Sequence, residues 1–192
     1  MECRYKSRAS LSRCLCRGSV SLFRRSWLSG RFGLCARRAI PGKFLVTDIT
    51  FSPYCNADHD ACMRVFDANC PEFFAPNERQ EFLDFLDGKP EGYEVCNVDG
   101  SVCGAFGLSA DGEDVKTLNW ILIDPQTQGL GVGSEIMKRV IRSGRQSQTR
   151  IVKIAASHKS AAFFARFGAT VISSTKDGWG PGMDRVDMEL AL

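Results

Sequence analysis

The sequence predicts a mixed α/β protein, one sheet with helices on both faces. Three observations point there. Apolar runs alternate between strand-like and helix-like spacing in the order β-α-α-β-β-β-α-β-α-β-β. Asp99-Gly100 joins two alternating runs, the strongest short hairpin signal available. An apolar run from Val115 to Ile123 empties through Asp124-Pro125-Gln126-Thr127 into Gln128-Gly129-Leu130-Gly131-Val132-Gly133, which opens an amphipathic stretch.

Taken in order, Thr47 to Ser52 reads as the first strand. Asn56 or Asp58 can cap a helix whose apolar face is Ala61, Cys62, Val65 and Phe66. Pro71 and Pro76 bracket a break carrying Phe73 and Phe74. A second helix starts near Asn77, turns Phe82, Leu83, Phe85 and Leu86 inward and ends at Gly88. Glu91 to Val98 and Ser101 to Ser109 form the hairpin strands, and Asp111 to Asp114 is a polar turn. After the glycines, Gly133, Ile136, Met137, Val140 and Ile141 make one helical stripe, with Lys138, Arg139, Arg142 and Arg145 on other faces. Arg150 to Ala155 is the next strand, and a helix follows from Ser157. Thr170 to Thr175 and Arg185 to Ala191 read as the last strands, joined by a loop rich in glycine and proline.

Charge divides the chain. Residues 1–45 hold nine Arg, two Lys and one acid, Glu2; the remainder holds 14 basic and 21 acidic residues. The acidic remainder gives no support to nucleic-acid binding by the folded part. Residues 1–44 therefore read as a basic leader, expected to be mostly disordered, ahead of one domain over 45–192. A translated upstream start, a mitochondrial transit peptide and a basic tail for anionic partners all fit that leader's composition. Arginines interrupt every apolar run in it, which argues against a secretory signal or a membrane span. Of nine cysteines, four lie in the leader, and Cys14-x-Cys16 has no partner pair to complete a zinc site. No metal is expected. Buried reduced thiols suit a cytoplasmic protein, or a mitochondrial one if the leader is a transit peptide.

The glycine loop carries the chemistry. A helix N-terminus presents free backbone N–H groups and the positive end of the helix dipole, and missing side chains let a phosphate approach. A dinucleotide site would want a third glycine where Ser134 stands, and an acid about 20 residues on, yet Ser143 to Lys176 contains none. A P-loop would want Lys-Ser or Lys-Thr after Gly133, which is followed by Ser134-Glu135.

Gln128-Gly129-Leu130-Gly131-Val132-Gly133 resembles the Q/R-x-x-G-x-G/A signature of the GNAT superfamily of acyl-CoA N-acyltransferases. Ser157 to Ala169 resembles that family's later helix, and Trp179 to Leu190 resembles the tail of many small members. The resemblance covers about residues 45–192 and implies a mixed, mostly antiparallel GNAT-type sheet. It implies acetyl-CoA as acyl donor, with the diphosphate on Gln128, Gly129, Leu130, Gly131, Val132, Gly133 and Ser134. The pantetheine arm would meet Ile121, Leu122 and Ile123, with Ser157 and Phe164 beside it. The reaction would move an acetyl group to a primary amine of a small molecule, peptide or protein by direct attack. A non-catalytic acyl-CoA sensor of the same fold is the alternative, and a homodimer is compatible with the family.

Three departures from the family pattern bear on the mechanism. Thr117 stands where many relatives carry a Glu base, and neither it nor Asn119 can accept a proton at neutral pH. Phe164 replaces the Tyr that protonates the thiolate. Ser157 replaces an Asn. His158 is the available substitute base, since imidazole titrates near neutrality. For the acceptor the resemblance points to Phe73, Phe74, Thr117, Asn119, Trp179, Asp184 and Arg185. Asp184 could hold a cationic amine and Arg185 a carboxylate.

Overall fold

A computed structural model describes residues 48–192. The leader expectation falls on residues 1–44, outside the described residues. Seven strands form one sheet in the order β1-β2-β3-β4-β5-β7-β6. They are β1 (Ile49–Pro53), β2 (Tyr93–Val98), β3 (Ser101–Ala110), β4 (Val115–Ile123), β5 (Ile151–Ser157), β6 (Thr170–Gly180) and β7 (Met183–Ala191). Every pairing is antiparallel except β4 with β5. The helices are α1 (His59–Asn69), α2 (Glu78–Asp87), α3 (Val132–Gln146) and α4 (Ala161–Ala165). Their order is the one that the sequence pattern predicts.

Strand alternation sends neighbouring side chains to opposite faces. Val95, Ala105 and Leu122 pack under α1 and α2 with Cys62, Phe66, Phe82 and Leu86. Cys96, Phe106 and Leu118 pack on the other face with Val132, Ile136, Met137 and Val140 of α3 and Phe164 of α4. The predicted stripe of α3 is therefore its core-facing side. Fully burying one such side chain contributes about 1.5–3 kcal/mol, so the two apolar layers hold the sheet between them.

Leu118 and Leu122 sit four residues apart on β4, a spacing that an unbroken strand would place on one face. They lie on opposite faces because β4 carries a bulge. Gly107 pairs with Asn119 and Ala105 with Leu122, so three steps on β4 span two on β3. Trp120, at φ +40°, absorbs the extra residue.

Local chemistry explains most turns. Asp99 and Gly100 both have positive φ, +49° and +81°, as the tight hairpin requires. Asp58 precedes α1, but its carboxylate accepts the Cys55 N–H at 2.9 Å rather than a helix amide. Asn77 precedes α2, yet its amide donates to the Trp179 carbonyl at 3.2 Å. Glu78 closes that end instead, accepting the Ala75 N–H at 2.7 Å.

Two expectations need correction. Residues 176–184 are mostly strand rather than loop, and only Pro181-Gly182 turns between β6 and β7. Pairings of Thr175 with Arg185 and Gly180 with Met183 bracket an irregular stretch there. The later helix is also shorter than its motif. Ser157 ends β5, and α4 occupies only Ala161–Ala165. The five described cysteines are free thiols, and burial pushes Cys62 up to about 12. No helix among the described residues is long and apolar enough to cross a membrane.

Candidate active site

The site opens where the one parallel pair comes apart. β4 and β5 pair from Val115–Ile151 to Leu118–Ile154 and no further. Beyond that point β4 follows β3, up to Ile123 opposite Gly104, while β5 follows β7, up to Ser157 opposite Arg185. The divergence leaves a cavity of about 720 Å³ between the two strand ends. It runs from the start of α3 to the segment joining α1 and α2.

The α3 end is built from backbone. The Asp124 carboxylate accepts the Gln126 N–H at 2.9 Å and fixes the turn after β4. Gly129 and Gly131 then take φ +85° and +87°, values that only glycine adopts freely. A side chain would have space at both, since nothing lies within 4 Å of a Cβ built on either. Conformation, not crowding, therefore selects glycine there. Gly133 is different. A Cβ there would lie 2.9 Å from the Phe163 ring and 3.0 Å from Ile123 Cδ1. Among the described residues, the N–H groups of Gly129, Gly131, Val132, Gly133 and Ser134 find no protein acceptor. Four such donors are intrinsic to any helix start. Here they face a cavity, and the helix behind them runs 15 residues.

Other side chains complete that end. Phe163, Phe164 and Ser157 line it, with Phe164 only 3% exposed. The Ser157 hydroxyl lies 3.1 Å from the Ser160 hydroxyl. Lys159 and Arg166 also line the cavity. Lys159 pairs with Glu72 at 3.1 Å, and Arg166 lies over the Phe163 ring at 5.3 Å. The donor set thus matches a diphosphate-bearing cofactor: free amides and a helix dipole.

The opposite end is built from side chains. Phe74 stacks against Trp120 with centroids 6.1 Å apart, and Phe73 stands beside them. Trp179 comes from β6 and donates its indole N–H to the Ala156 carbonyl at 3.0 Å. Tyr93 fixes the bulge from beneath by donating its hydroxyl to the Trp120 carbonyl at 2.8 Å. Thr117 and Asn119 enter from β4. The Asn119 amide donates to Ser109 Oγ at 2.7 Å, and the Thr117 hydroxyl reaches Asp111 at 3.4 Å. Glu78 and Glu81, on the first turn of α2, also line this end.

Of the residues singled out in the sequence, Phe73, Phe74, Thr117, Asn119, Ile121, Ile123, Gln128, Gly129, Gly131, Val132, Gly133, Ser134, Ser157, Phe164 and Trp179 line the cavity. Five do not. Leu122 turns into the α1/α2 core, a consequence of the bulge. Leu130 points outward and is 47% exposed. His158 lies outside the lining, and its Nδ1 accepts the Asp184 N–H at 3.1 Å. The Asp184 carboxylate accepts the Asp177 N–H at 2.9 Å and holds the β6–β7 hairpin. Arg185 pairs with Asp187 at 2.8 Å and covers the Trp179 ring at 4.8 Å, acting on the cavity only through that ring. The sequence reading missed Glu78, Glu81, Trp120, Lys159 and Arg166. An acid in a first helical turn reads as an ordinary dipole partner, and nothing in the sequence around Trp120 marks a bulge.

No curated protein matches the sequence. Solved structures do resemble the fold. Ard1 from Thermoplasma volcanium superposes with a TM-score of 0.64 at 18% identity, over 75% of this chain and 97% of its own. The ribosomal-protein-S18-alanine N-acetyltransferase from Escherichia coli gives 0.63 at 17%, over 75% and 94%. N-acetylglutamate synthase from Neisseria gonorrhoeae, complexed with coenzyme A and N-acetyl-glutamate, gives 0.60 at 13%, over 76% of this chain and 35% of its own. The acetyltransferase (GNAT) family matches residues 62–169, more than half of the chain and the span from α1 through the glycine loop to the end of α4. By fold, by the splayed strand pair and by that match, the chain belongs to the GNAT acetyltransferase family.

Proposed function

We propose that the chain transfers an acetyl group from acetyl-CoA to a primary amine of a small molecule, peptide or protein. The observation that carries this reading is one continuous cavity joining two unlike ends. Unpartnered amides at the start of α3 stand at one end, and an aromatic pocket with carboxylates stands at the other. The loop Gln128 to Ser134 takes the diphosphate. Ile121 and Ile123 border the pantetheine arm from β4, and Ser157, Phe163 and Phe164 border it from the other side. The bulge at Trp120 leaves β4 backbone unpaired just where a thioester carbonyl would sit, and a donor there polarises it as an oxyanion hole does. Phe164 has no proton to give, so the thiolate takes its proton from the attacking amine or from water.

Positioning alone supplies much of the rate, since well-oriented reactants gain roughly 7–11 kcal/mol. The catalytic unit is assigned to residues 45–192. The test is acetyl-CoA binding by calorimetry followed by thiol release across a panel of primary amines. Amine-dependent thiol release supports the reading. Binding without it makes the chain a CoA-binding module, and no binding overturns the cofactor assignment.

A further inference from the structure

We infer that Glu78 is the catalytic base, receiving a cationic aliphatic amine at the acceptor end of the cavity and taking its proton; this rests on the acetyl-transfer reading above.

The family's usual base position holds Thr117, and His158 is turned away from the cavity. The ionisable groups that line it are Glu78, Glu81, Lys159 and Arg166. The last two are cations, and Lys159 already faces Glu72. Proton acceptance at neutral pH therefore falls to the two carboxylates. They differ in burial. Glu81 is exposed, whereas Glu78 is 5% exposed. A carboxylate in such a place needs a partner, because burying an unpaired charge is costly. Among the described residues neither Glu78 nor Glu81 has a cation within ion-pair distance. Oε2 of Glu78 accepts the Ala75 N–H at 2.7 Å, which fixes the carboxylate in one orientation. The other oxygen accepts no hydrogen bond from the described residues, and Glu78 lines the cavity.

The surroundings fit an alkylammonium ion. Phe73, Phe74, Trp120 and Trp179 supply apolar walls and ring faces for its carbon chain and charge. The buried carboxylate supplies the missing countercharge, and Glu81 adds a second negative charge one turn away. Desolvation raises the Glu78 pKa above the usual carboxylate value, and Glu81 raises it further, while the Ala75 N–H opposes both. A raised pKa is what a base for an ammonium needs, because it lessens the mismatch in proton affinity. The titratable groups facing Glu78 are Glu81 on α2 and Cys70 just after α1. Lys159, paired with Glu72, lines the same cavity.

The step balances. Glu78 takes one proton from R–NH3+. The freed lone pair forms the C–N bond at the thioester carbonyl, and the C–S bond breaks with its electron pair going to sulfur. A second nitrogen proton passes to the thiolate, giving the thiol, and Glu78 returns its proton to solvent through the open cavity. A carboxylate on the acceptor next to its amine would meet Glu78 and Glu81 as a like charge. Amines without one, such as alkyl and arylalkyl amines and lysine side chains, are the class that fits.

Glu78→Gln tests this. Glutamine keeps an oxygen for the Ala75 N–H, so the variant should fold. Acetyl-CoA affinity and the melting temperature are checked first, then thiol release with butylamine, phenethylamine, lysine methyl ester and free alanine. For an active wild-type chain we expect kcat/KM to fall about 100-fold in Glu78→Gln, with acetyl-CoA Kd unchanged and the acidic limb of the pH profile lost. Glu81→Gln should change mainly KM, by a few fold. Free alanine should be the poorest acceptor. Wild-type turnover in Glu78→Gln overturns the assignment of the base and leaves acetyl transfer standing. Acetyl-CoA binding without thiol release in the wild-type chain overturns both.

Discussion

The two ends of the cavity are made by different means. At the α3 end the groups offered to the cavity are main-chain amides, and the residues that shape them, Gln128 to Gly133, are consecutive. At the acceptor end they are side chains drawn from the α1–α2 segment, α2, β4 and β6, with Trp179 separated from Phe74 by more than half of the described chain. A backbone site depends on a few φ values and a helix start, so it survives most substitutions that keep those. A side-chain site depends on each residue separately, and it can change specificity one position at a time. The comparison explains why a fold can keep one donor while its acceptor changes.

The largest expected effect falls on the backbone end. Gly131→Glu should weaken CoA binding at least 100-fold, since it places a negative charge among the amides and strains a residue at φ +87°. Gly131→Asn is the sharper control, because Asn tolerates the left-handed region. It should stay within about tenfold of wild type by calorimetry. Equal losses in both would mean that backbone conformation, not charge, dominates there. Glu78→Gln comes next, with the loss in kcat/KM described above and none in CoA affinity. The two variants should thus separate the ends cleanly, one losing donor binding and the other losing turnover.

Gly133→Val sits between them in kind. Its side chain must displace Phe163 and Ile123, which approach a Cβ at 2.9 and 3.0 Å. Overpacking of this sort costs about 1–3 kcal/mol, read as a lower melting temperature together with weaker CoA binding. Phe164→Tyr should do least. The ring is 3% exposed against the cavity, so its new hydroxyl can face the space where the thiol leaves. CoA affinity should stay within about threefold, and turnover should hold or rise.

Stability against pH gives a further, small effect with a definite sign. The Glu78 pKa is raised in the folded chain, so its contribution is complete below the unfolded value near 4.5 and is lost as pH rises through the folded value. Replacing it with glutamine removes that cost. The Glu78→Gln melting temperature should match wild type at about pH 4 and equal or exceed it at pH 7. A lower value at pH 7 would mean that the ionised carboxylate stabilises the fold.

The same contrast decides what was legible in the sequence. The glycine loop was, because Gly129, Gly131 and Gly133 act through local conformation and lie side by side. The hairpin at Asp99-Gly100 and the stripe Ile136, Met137, Val140 were legible for the same reason. The acceptor end was half legible. Phe73, Phe74 and Trp179 were named through the family's architecture. Trp120 was not, because a bulge on β4 reverses strand parity without a residue that demands it, and the loss of Leu122 from the lining follows from that reversal. Glu78 was not singled out in the sequence, because an acid in a first helical turn is ordinary, and only the fold places it, 5% exposed, in the cavity lining. His158 stands outside the cavity lining, with Nδ1 accepting the Asp184 N–H, a contact across 26 residues that the sequence does not signal. The strand over 176–180 was hidden because it is an irregular stretch bracketed by two β7 pairings, Thr175 with Arg185 and Gly180 with Met183, which local turn chemistry does not signal.

One measurement tests the central claim most directly: a crystal structure of the chain with acetyl-CoA. The account predicts diphosphate oxygens within about 3 Å of the amides of Gly129, Gly131, Val132 and Gly133, with the thioester between the parted ends of β4 and β5. Density for the nucleotide at any other surface would contradict it.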